Sequence, residues 1–176
     1  IPQKPWEVVK QDFAIYSDVY RKENGAEPPQ PFCGGFFFVD KDPGKAEAMA
    51  YEWISKYYHT AMKHYEMTHE KFGTHKDYDF YKNVGSYIAK HGMDGAAKDF
   101  TDLMPWGTPK QVLEKIDFIR EMINPNAIMC NMSYAGMPFD DAERNMKCFA
   151  EYVLPELKKW ETTPLAEPRE LDLKAA

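Results

Sequence analysis

The sequence predicts a helix-rich α/β fold in which short parallel strands are joined by helices. Two continuously apolar runs, residues 32–39 and 127–132, have the length and composition of buried parallel strands. Patterns with helical periodicity precede, separate and follow these runs. Because strands separated by helices pair in parallel, we expect the two runs to belong to a parallel sheet that is covered on both faces.

The first predicted element is a helix over residues 6–22. Apolar side chains recur at helical spacing and form one face, which consists of Val9, Phe13, Tyr16 and Tyr20. Asn24 and Gly25 end this helix, because both residues favour chain reversals. A proline-rich connector then leads to the first strand, FCGGFFFV, in which Gly34 and Gly35 indicate a bulge or a close backbone approach.

A long second helix is expected to begin at Asp42 and Pro43. Aspartate caps helix N-termini, and proline suits the first helical position because its missing N–H has no partner there. Its buried stripe is expected to consist of Ala46, Ala50, Trp53, Tyr57 and Ala61.

Residues 68–105 form an excursion between the two strand–helix units, polar and aromatic and interrupted by glycines. A segment longer than a connector needs is often a lid or a binding loop, and the alternative is a helical insertion packed on the outside of the fold. Small-molecule pockets are mostly aromatic and aliphatic. The candidate substrate-contacting residues are therefore Tyr78, Phe80 and Tyr81, with His75 as a candidate proton acceptor.

The third helix begins with Thr108, Pro109 and Gln111, the residue types of a capping box with proline at the first helical position. Its apolar face is expected to consist of Val112, Ile116, Ile119 and Ile123. A further helix, after the strand at 127–132, is expected to begin near Asp140, because acidic residues favour the positive end of the helix dipole. Its buried stripe is expected to consist of Ala142, Met146, Phe149, Val153 and Leu157.

The loop over residues 133–138 is the first candidate for function. It follows the carboxyl end of a strand, where ligands bind in α/β folds. Ser133, Tyr134 and Gly136 are the candidate cofactor-binding residues, and the alternative is a simple strand-to-helix turn. Met137 and Phe139 are expected to anchor the loop rather than to contact a ligand.

Composition excludes several classes of function. The net charge of −6 argues against nucleic-acid binding, and no apolar run approaches the ~20 residues that cross a membrane. Cys33, Cys130 and Cys148 are too dispersed for a metal site and are expected to be free thiols of a cytoplasmic protein. The histidine spacing also predicts no metal site.

Three short motifs occur in a fixed order near the C-terminus: WGTP at 106–109, YAGMP at 134–138 and FAEYVLP at 149–155. Together they resemble the last βα unit of the luciferase-like flavin-dependent monooxygenases. Residues 32–46 are similar to that family's seventh strand and the start of its seventh helix. Residues 69–81 are similar to the excursion after strand seven, which covers the active site in several members.

This resemblance implies that residues 1–160 are the C-terminal part of a (β/α)8 TIM barrel, with its last two βα units, an insertion at about 68–105 and a tail at 161–176. Such a barrel takes ~250 residues, so its other strands, most flavin-phosphate contacts and the catalytic residues are expected upstream of Ile1. The implied reaction uses reduced flavin and O2 to oxygenate a small, apolar organic substrate. FMN is the expected flavin, with FAD and a deazaflavin as alternatives.

The implied partners are the remainder of the barrel, a separate flavin reductase and further copies of the chain, with no nucleic acid and no membrane. The isolated chain is expected to be inactive. A different class of function stays open: a non-enzymatic, mainly helical domain that serves interaction or oligomerisation, since most of the chain has helical periodicity.

Overall fold

A computed structural model describes residues 4–69 and 79–160 of the chain, and for residues 79–82 it describes the backbone alone. The tail at 161–176 lies outside the described residues, as do Tyr78, His75 and the side chains of Phe80 and Tyr81. In the described residues no helix combines the length and apolar character that a membrane span requires.

Helices dominate the fold and separate short strands. The elements in chain order are α1 Trp6–Asn24, β1 Phe32–Phe36, β2 Phe38–Val39, α2 Pro43–His64, α3 Asp79–Asp102, β3 Trp106–Gly107, α4 Pro109–Ile123, β4 Ala127–Asn131, α5 Phe139–Cys148, a π-helical turn at Phe149–Val153 and α6 Leu154–Leu157. This order confirms the predicted alternation of helices and strands.

The two predicted strands pair with each other in parallel. β1 pairs with β4, from Phe32 opposite Ala127 to Phe36 opposite Asn131. β2 pairs in parallel with β3, a strand of two residues that the sequence analysis did not predict. A two-residue strand carries no readable periodicity, so only its pairing partner identifies β3.

The predicted single strand over residues 32–39 is interrupted at Phe37. The Phe37 amide still donates to the Asn131 carbonyl over 2.9 Å, but the Phe37 carbonyl accepts hydrogen bonds from side chains instead of from a strand. The chain therefore pairs with β4 before Phe37 and with β3 after it.

The prediction that both faces of the strands are covered is wrong at their amino ends. Phe32 is 64% exposed and Met129 is 46% exposed, whereas Phe36, Phe38 and Val39 are buried. Side chains alternate between the faces of a strand, so Phe32 and Met129 lie on the same face in the observed register. The helices of the described residues cover the carboxyl half of this face and leave the amino half open.

The predicted helix starts are confirmed. The Asp42 side chain accepts from the Lys45 amide over 3.0 Å, and Thr108 and Gln111 form the expected reciprocal capping box. Of the predicted α2 stripe, Ala46, Ala50 and Trp53 are buried. The predicted α4 face, which consists of Val112, Ile116, Ile119 and Ile123, is buried in full.

The last predicted helix differs in two respects. Met146, expected on the buried stripe, is 45% exposed, and its neighbour Asn145 is 1% exposed instead. The α-helical pattern also gives way to a π-helical turn at Phe149–Val153. That turn directly precedes Pro155, whose missing N–H and bulky ring disfavour a continuous α-helix.

The first helix is held mainly at its amino end. Trp6 is buried against Ile119 and Ile123 of α4, and its indole N–H donates to the Leu103 carbonyl over 3.1 Å. Further along α1, Tyr16 is 47% exposed, so the predicted apolar face is not buried along its whole length.

The excursion between the two units folds back as a kinked helix. α3 contains non-helical backbone at Gly92, with a φ of 77° that side-chain-bearing residues rarely adopt. After this kink, Ala96, Ala97, Phe100 and Met104 enter the same core as α2. The described part of the insertion is thus a packed helical layer.

Candidate functional site

The candidate loop is a tight turn at the carboxyl end of β4. The Met137 amide donates to the Tyr134 carbonyl over 2.9 Å, and the two residues between them have positive φ, 56° at Ala135 and 77° at Gly136. Glycine tolerates this backbone without strain. The turn directs the chain from β4 into α5.

Tyr134 is an internal brace of this loop. Its ring lies edge-on to Phe36 with centroids 4.8 Å apart, and its hydroxyl donates to the Phe37 carbonyl over 3.1 Å. Burial raises the pKa of the Tyr134 phenol well above its ordinary value. The hydroxyl therefore stays a protonated donor and is already used within the protein, as is the Tyr134 carbonyl, which accepts from the Met137 amide.

The two expected loop anchors have different environments. Met137 is 6% exposed and packs in the core with Phe36 and Tyr134, as predicted. Phe139 is 88% exposed, so its prediction as an anchor is wrong. Phe139 is the first residue of α5 and belongs to none of the buried hydrophobic clusters of the described residues.

A polar rim borders the open side of the turn. Ser133 and Gly136 are exposed. A β-carbon placed on Gly136 would have only the Lys56 ammonium within 4 Å, at 3.9 Å, and that ammonium lies over the Trp53 ring at 4.7 Å. The rim therefore combines a hydroxyl, exposed glycine backbone and a positive charge. Lys56 is not predictable from the sequence, because one lysine among several on α2 forms no pattern with the loop.

Asn145 of α5 holds the main chain on which the loop is built. Its amide nitrogen donates to the carbonyls of Phe37, over 2.8 Å, and Met132, over 3.1 Å, and its amide oxygen accepts from the Val39 amide over 2.9 Å. One buried side chain therefore ties α5 to the strand break and to the end of β4. The available signal is an asparagine beside the apolar stripe of α5, at a place where helical spacing predicts burial of Met146 instead.

Aromatic side chains separate the loop from the insertion. Phe36 lies between Tyr134 and Tyr57 of α2, whose ring centroid is 4.2 Å away, and Phe100 of α3 follows at 6.2 Å. The described part of the insertion thus borders the loop through this aromatic cluster. The residues predicted to contact substrate, Tyr78, Phe80, Tyr81 and His75, stay predictions because their side chains are outside the described part of the chain.

An ion-pair network occupies the carboxyl end of β2. Asp40, 15% exposed at its side chain, lies 3.5 Å from the Lys45 ammonium and 3.8 Å from Arg144 Nε. Arg144 also pairs with Asp141 of α5. These charges compensate one another and join α5 to the strand. Among residues 4–69 and 83–160, no group of histidine, cysteine and acidic side chains is arranged to hold a metal ion.

The fold is similar to part of a known oxygenase structure. The chain matches the crystal structure of monooxygenase RslO1 from Streptomyces bottropensis at 19% sequence identity, with a TM-score of 0.53. The match covers 89% of this chain and 40% of that one, so the chain spans less than half the length of its structural neighbour. No protein-family model and no curated protein matches the sequence. The likeness therefore concerns the fold of a helix-rich α/β segment.

Proposed function

We propose that this chain forms the C-terminal part of a (β/α)8 barrel in a luciferase-like, flavin-dependent monooxygenase. The complete protein would use reduced flavin and O2 to oxygenate a small, apolar organic substrate, with electrons supplied by a separate flavin reductase. FMN is the flavin we propose. The catalytic residues would be supplied by the remainder of the barrel.

The observation that carries the proposal is the parallel pairing of β1 with β4 across two strand–helix units. The order of these two units matches the order of the motifs that resemble the last two units of the luciferase-like family. The likeness of the fold to part of a monooxygenase also supports the proposal. The open part of the sheet, with Phe32 64% and Met129 46% exposed, has the apolar surface that further barrel strands would cover.

The residues at the turn suit the edge of a flavin. Gly136 has no side chain and an open surface, so a planar ring system can approach its backbone closely. Ser133 offers an exposed hydroxyl, and the Lys56 ammonium offers a positive charge to a phosphate or to an anionic reduced ring. The Tyr134 side chain braces the turn, because its hydroxyl is bonded to the Phe37 carbonyl, and it is not proposed to contact the flavin.

In the proposed enzyme, this chain would orient the flavin. A bound reduced flavin would supply the activation of O2 that protein side chains cannot perform. The turn at 133–138 would position one edge of the ring, and the aromatic cluster of Phe36, Tyr57 and Phe100 would exclude water from the neighbouring region.

Flavin titration tests this function directly. We expect the complete protein that carries these residues to quench FMN fluorescence and to consume O2 with reduced FMN. Replacing Lys56 by Met should weaken FMN binding about tenfold, as for the loss of one charge-assisted contact worth about 1.4 kcal/mol. Lys63→Met is the matched control, because Lys63 is an exposed lysine of the same helix.

Two results would contradict the proposal. One is a complete protein that neither binds flavin nor consumes O2 with it. The other is tight FMN binding by the 176 residues alone, which would remove the need for the upstream contacts.

A second candidate is an interaction domain that associates through α1. Several apolar side chains of this helix are exposed, with Ile15 at 65%, Val19 at 54% and Val8 at 37%. Full burial of such a side chain from water is favourable by roughly 1.5–3 kcal/mol, and the gain here is smaller in proportion to the exposed fraction. Light scattering on Ile15→Glu measures self-association, and an oxygenase assay on the same variant measures activity. Loss of self-association with full activity would assign α1 to assembly alone.

A further inference from the structure

A groove between α2, α3 and the segment that precedes α1 lies apart from the candidate loop. It has a volume of about 520 Å³, and its lining includes Lys4, Tyr58, Val84, Tyr87, Asp99 and Phe100. That volume is within the range of about 300–1,000 Å³ of small-molecule sites. Two rings separate the groove from Tyr134. The Phe100 centroid lies 6.2 Å from that of Phe36, and the Phe36 centroid lies 4.8 Å from that of Tyr134.

Aromatic rings form much of the wall. Tyr58 and Phe100 are 7% and 6% exposed, and their ring centroids are 5.1 Å apart. Tyr87, across the groove, stacks on His91 at 4.3 Å. Aromatic faces carry negative electrostatic potential, so such walls attract cations as well as apolar groups.

One carboxylate lines the same wall. Asp99 accepts a hydrogen bond from the Tyr87 hydroxyl, and this bond joins the two halves of α3 across the Gly92 kink. The groove's lysine, Lys4, forms an ion pair with Asp12 of α1, which compensates its charge. The lining thus combines aromatic faces with an acidic group that has no cation paired to it among the ion pairs of the described residues.

We propose that this groove binds a small organic ammonium ion with an apolar body. The ammonium group would pair with the Asp99 carboxylate, and the apolar body would lie against Tyr58, Phe100 and Val84. A neutral molecule of the same shape would keep the apolar contacts and lose the charge-assisted hydrogen bond. The groove should therefore discriminate by charge, and this inference does not depend on the proposed monooxygenase function.

Calorimetric titration with 2-phenylethylammonium and its neutral analogue 2-phenylethanol tests the proposal. At pH 7 and low salt we expect the ammonium ion to bind at least fivefold more tightly than the alcohol. Asp99→Asn should abolish that preference. Asp94→Asn is the matched control on the same helix, since its carboxylate is 97% exposed and pairs with His59 rather than lining the groove.

Loss of the brace between Tyr87 and Asp99 must be separated from loss of charge. If Asp99→Asn weakens binding of the alcohol as well, Tyr87→Phe decides, because it breaks the same hydrogen bond and keeps the carboxylate. A charge preference that persists in Tyr87→Phe supports the site. Equal binding of both probes to the unmodified protein, no binding of either, or a preference that survives Asp99→Asn overturns it.

Discussion

The side chain of Asn145 is hydrogen-bonded to the main chain of Phe37, with the amide nitrogen 2.8 Å from the carbonyl oxygen across 108 residues of sequence. This bond lies where β1 gives way to β2, next to the loop at 133–138. Tyr134 donates to the same carbonyl over 3.1 Å. The strand break and the candidate loop are therefore held by one shared acceptor, the Phe37 carbonyl.

Asn145→Ala should destabilise the protein by about 2–4 kcal/mol, because it leaves the buried Val39 amide and Met132 carbonyl without this partner. Urea unfolding followed by circular dichroism measures the change. Met146→Ala serves as the control, since Met146 is 45% exposed and should cost much less. Equal losses in the two variants would show that Asn145 is not the brace described.

Tyr134→Phe should cost about 0.5–1.5 kcal/mol, less than Asn145→Ala, because Asn145 still satisfies the Phe37 carbonyl. The pKa of Tyr134 is raised by burial, so the folded state holds this proton more tightly than the unfolded state. The contribution of this proton to the free energy of unfolding is complete below pH ~10 and declines as the pH rises further. The difference between variant and unmodified protein should therefore narrow above that pH, and a difference that widens would contradict the assignment.

Lys115 should make stability rise with pH. Burial lowers the pKa of its ammonium to about 8, although the amine donates to the Met104 carbonyl over 3.1 Å and lies over the Trp106 ring. Between pH ~8 and ~10.4 the unfolded chain binds more protons, so the unfolding free energy associated with this group increases.

Replacing Lys115 by Met removes this pH dependence. The stability gain of Lys115→Met should be greatest at neutral pH and fall by roughly 1–2 kcal/mol by pH ~10.4, after allowance for partial exposure. Unfolding curves at several pH values measure it, with Lys110→Met, whose side chain is 87% exposed, as the control. A gain that does not vary with pH would refute the lowered pKa.

Two glycines should respond differently to alanine. Gly136→Ala should cost about 1 kcal/mol, because φ is 77° but the added carbon would make only an ordinary van der Waals contact with the Lys56 ammonium at 3.9 Å. Gly107→Ala should cost more, about 2–4 kcal/mol, since φ is 135° and the carbon would lie 2.8 Å from Gln111 Oε1, the acceptor of the capping box. Thermal unfolding of both variants tests the order, and a reversed order would contradict it.

The local elements could be predicted from the sequence because their causes are local. The capping residues Asp42 and Thr108 act on amides three positions away, and the face of α4 follows from its own spacing. The parallel pairing of β1 and β4 followed from the helices between them. The turn at 133–138 was also predicted, because a glycine and a proline followed a strand.

The environment of each side chain at the candidate site was not predictable in the same way. Phe139 and Met137 are both large and apolar, yet one is 88% and the other 6% exposed. Lys56 of α2 lies close to Gly136 in the turn, and no spacing in the sequence connects the two residues. Such contacts depend on how α2 and α5 pack on the sheet.

The helices, the two apolar strands and the position of the turn follow from the sequence alone, since periodicity, caps and breakers act within a few residues. Three features emerge only from the folded packing: Phe37 interrupts its strand, Asn145 rather than Met146 is buried, and the sheet stays open at Phe32. The physical reason is that hydrogen bonding and burial of these groups depend on partners about a hundred residues away, brought into contact only by the folded packing.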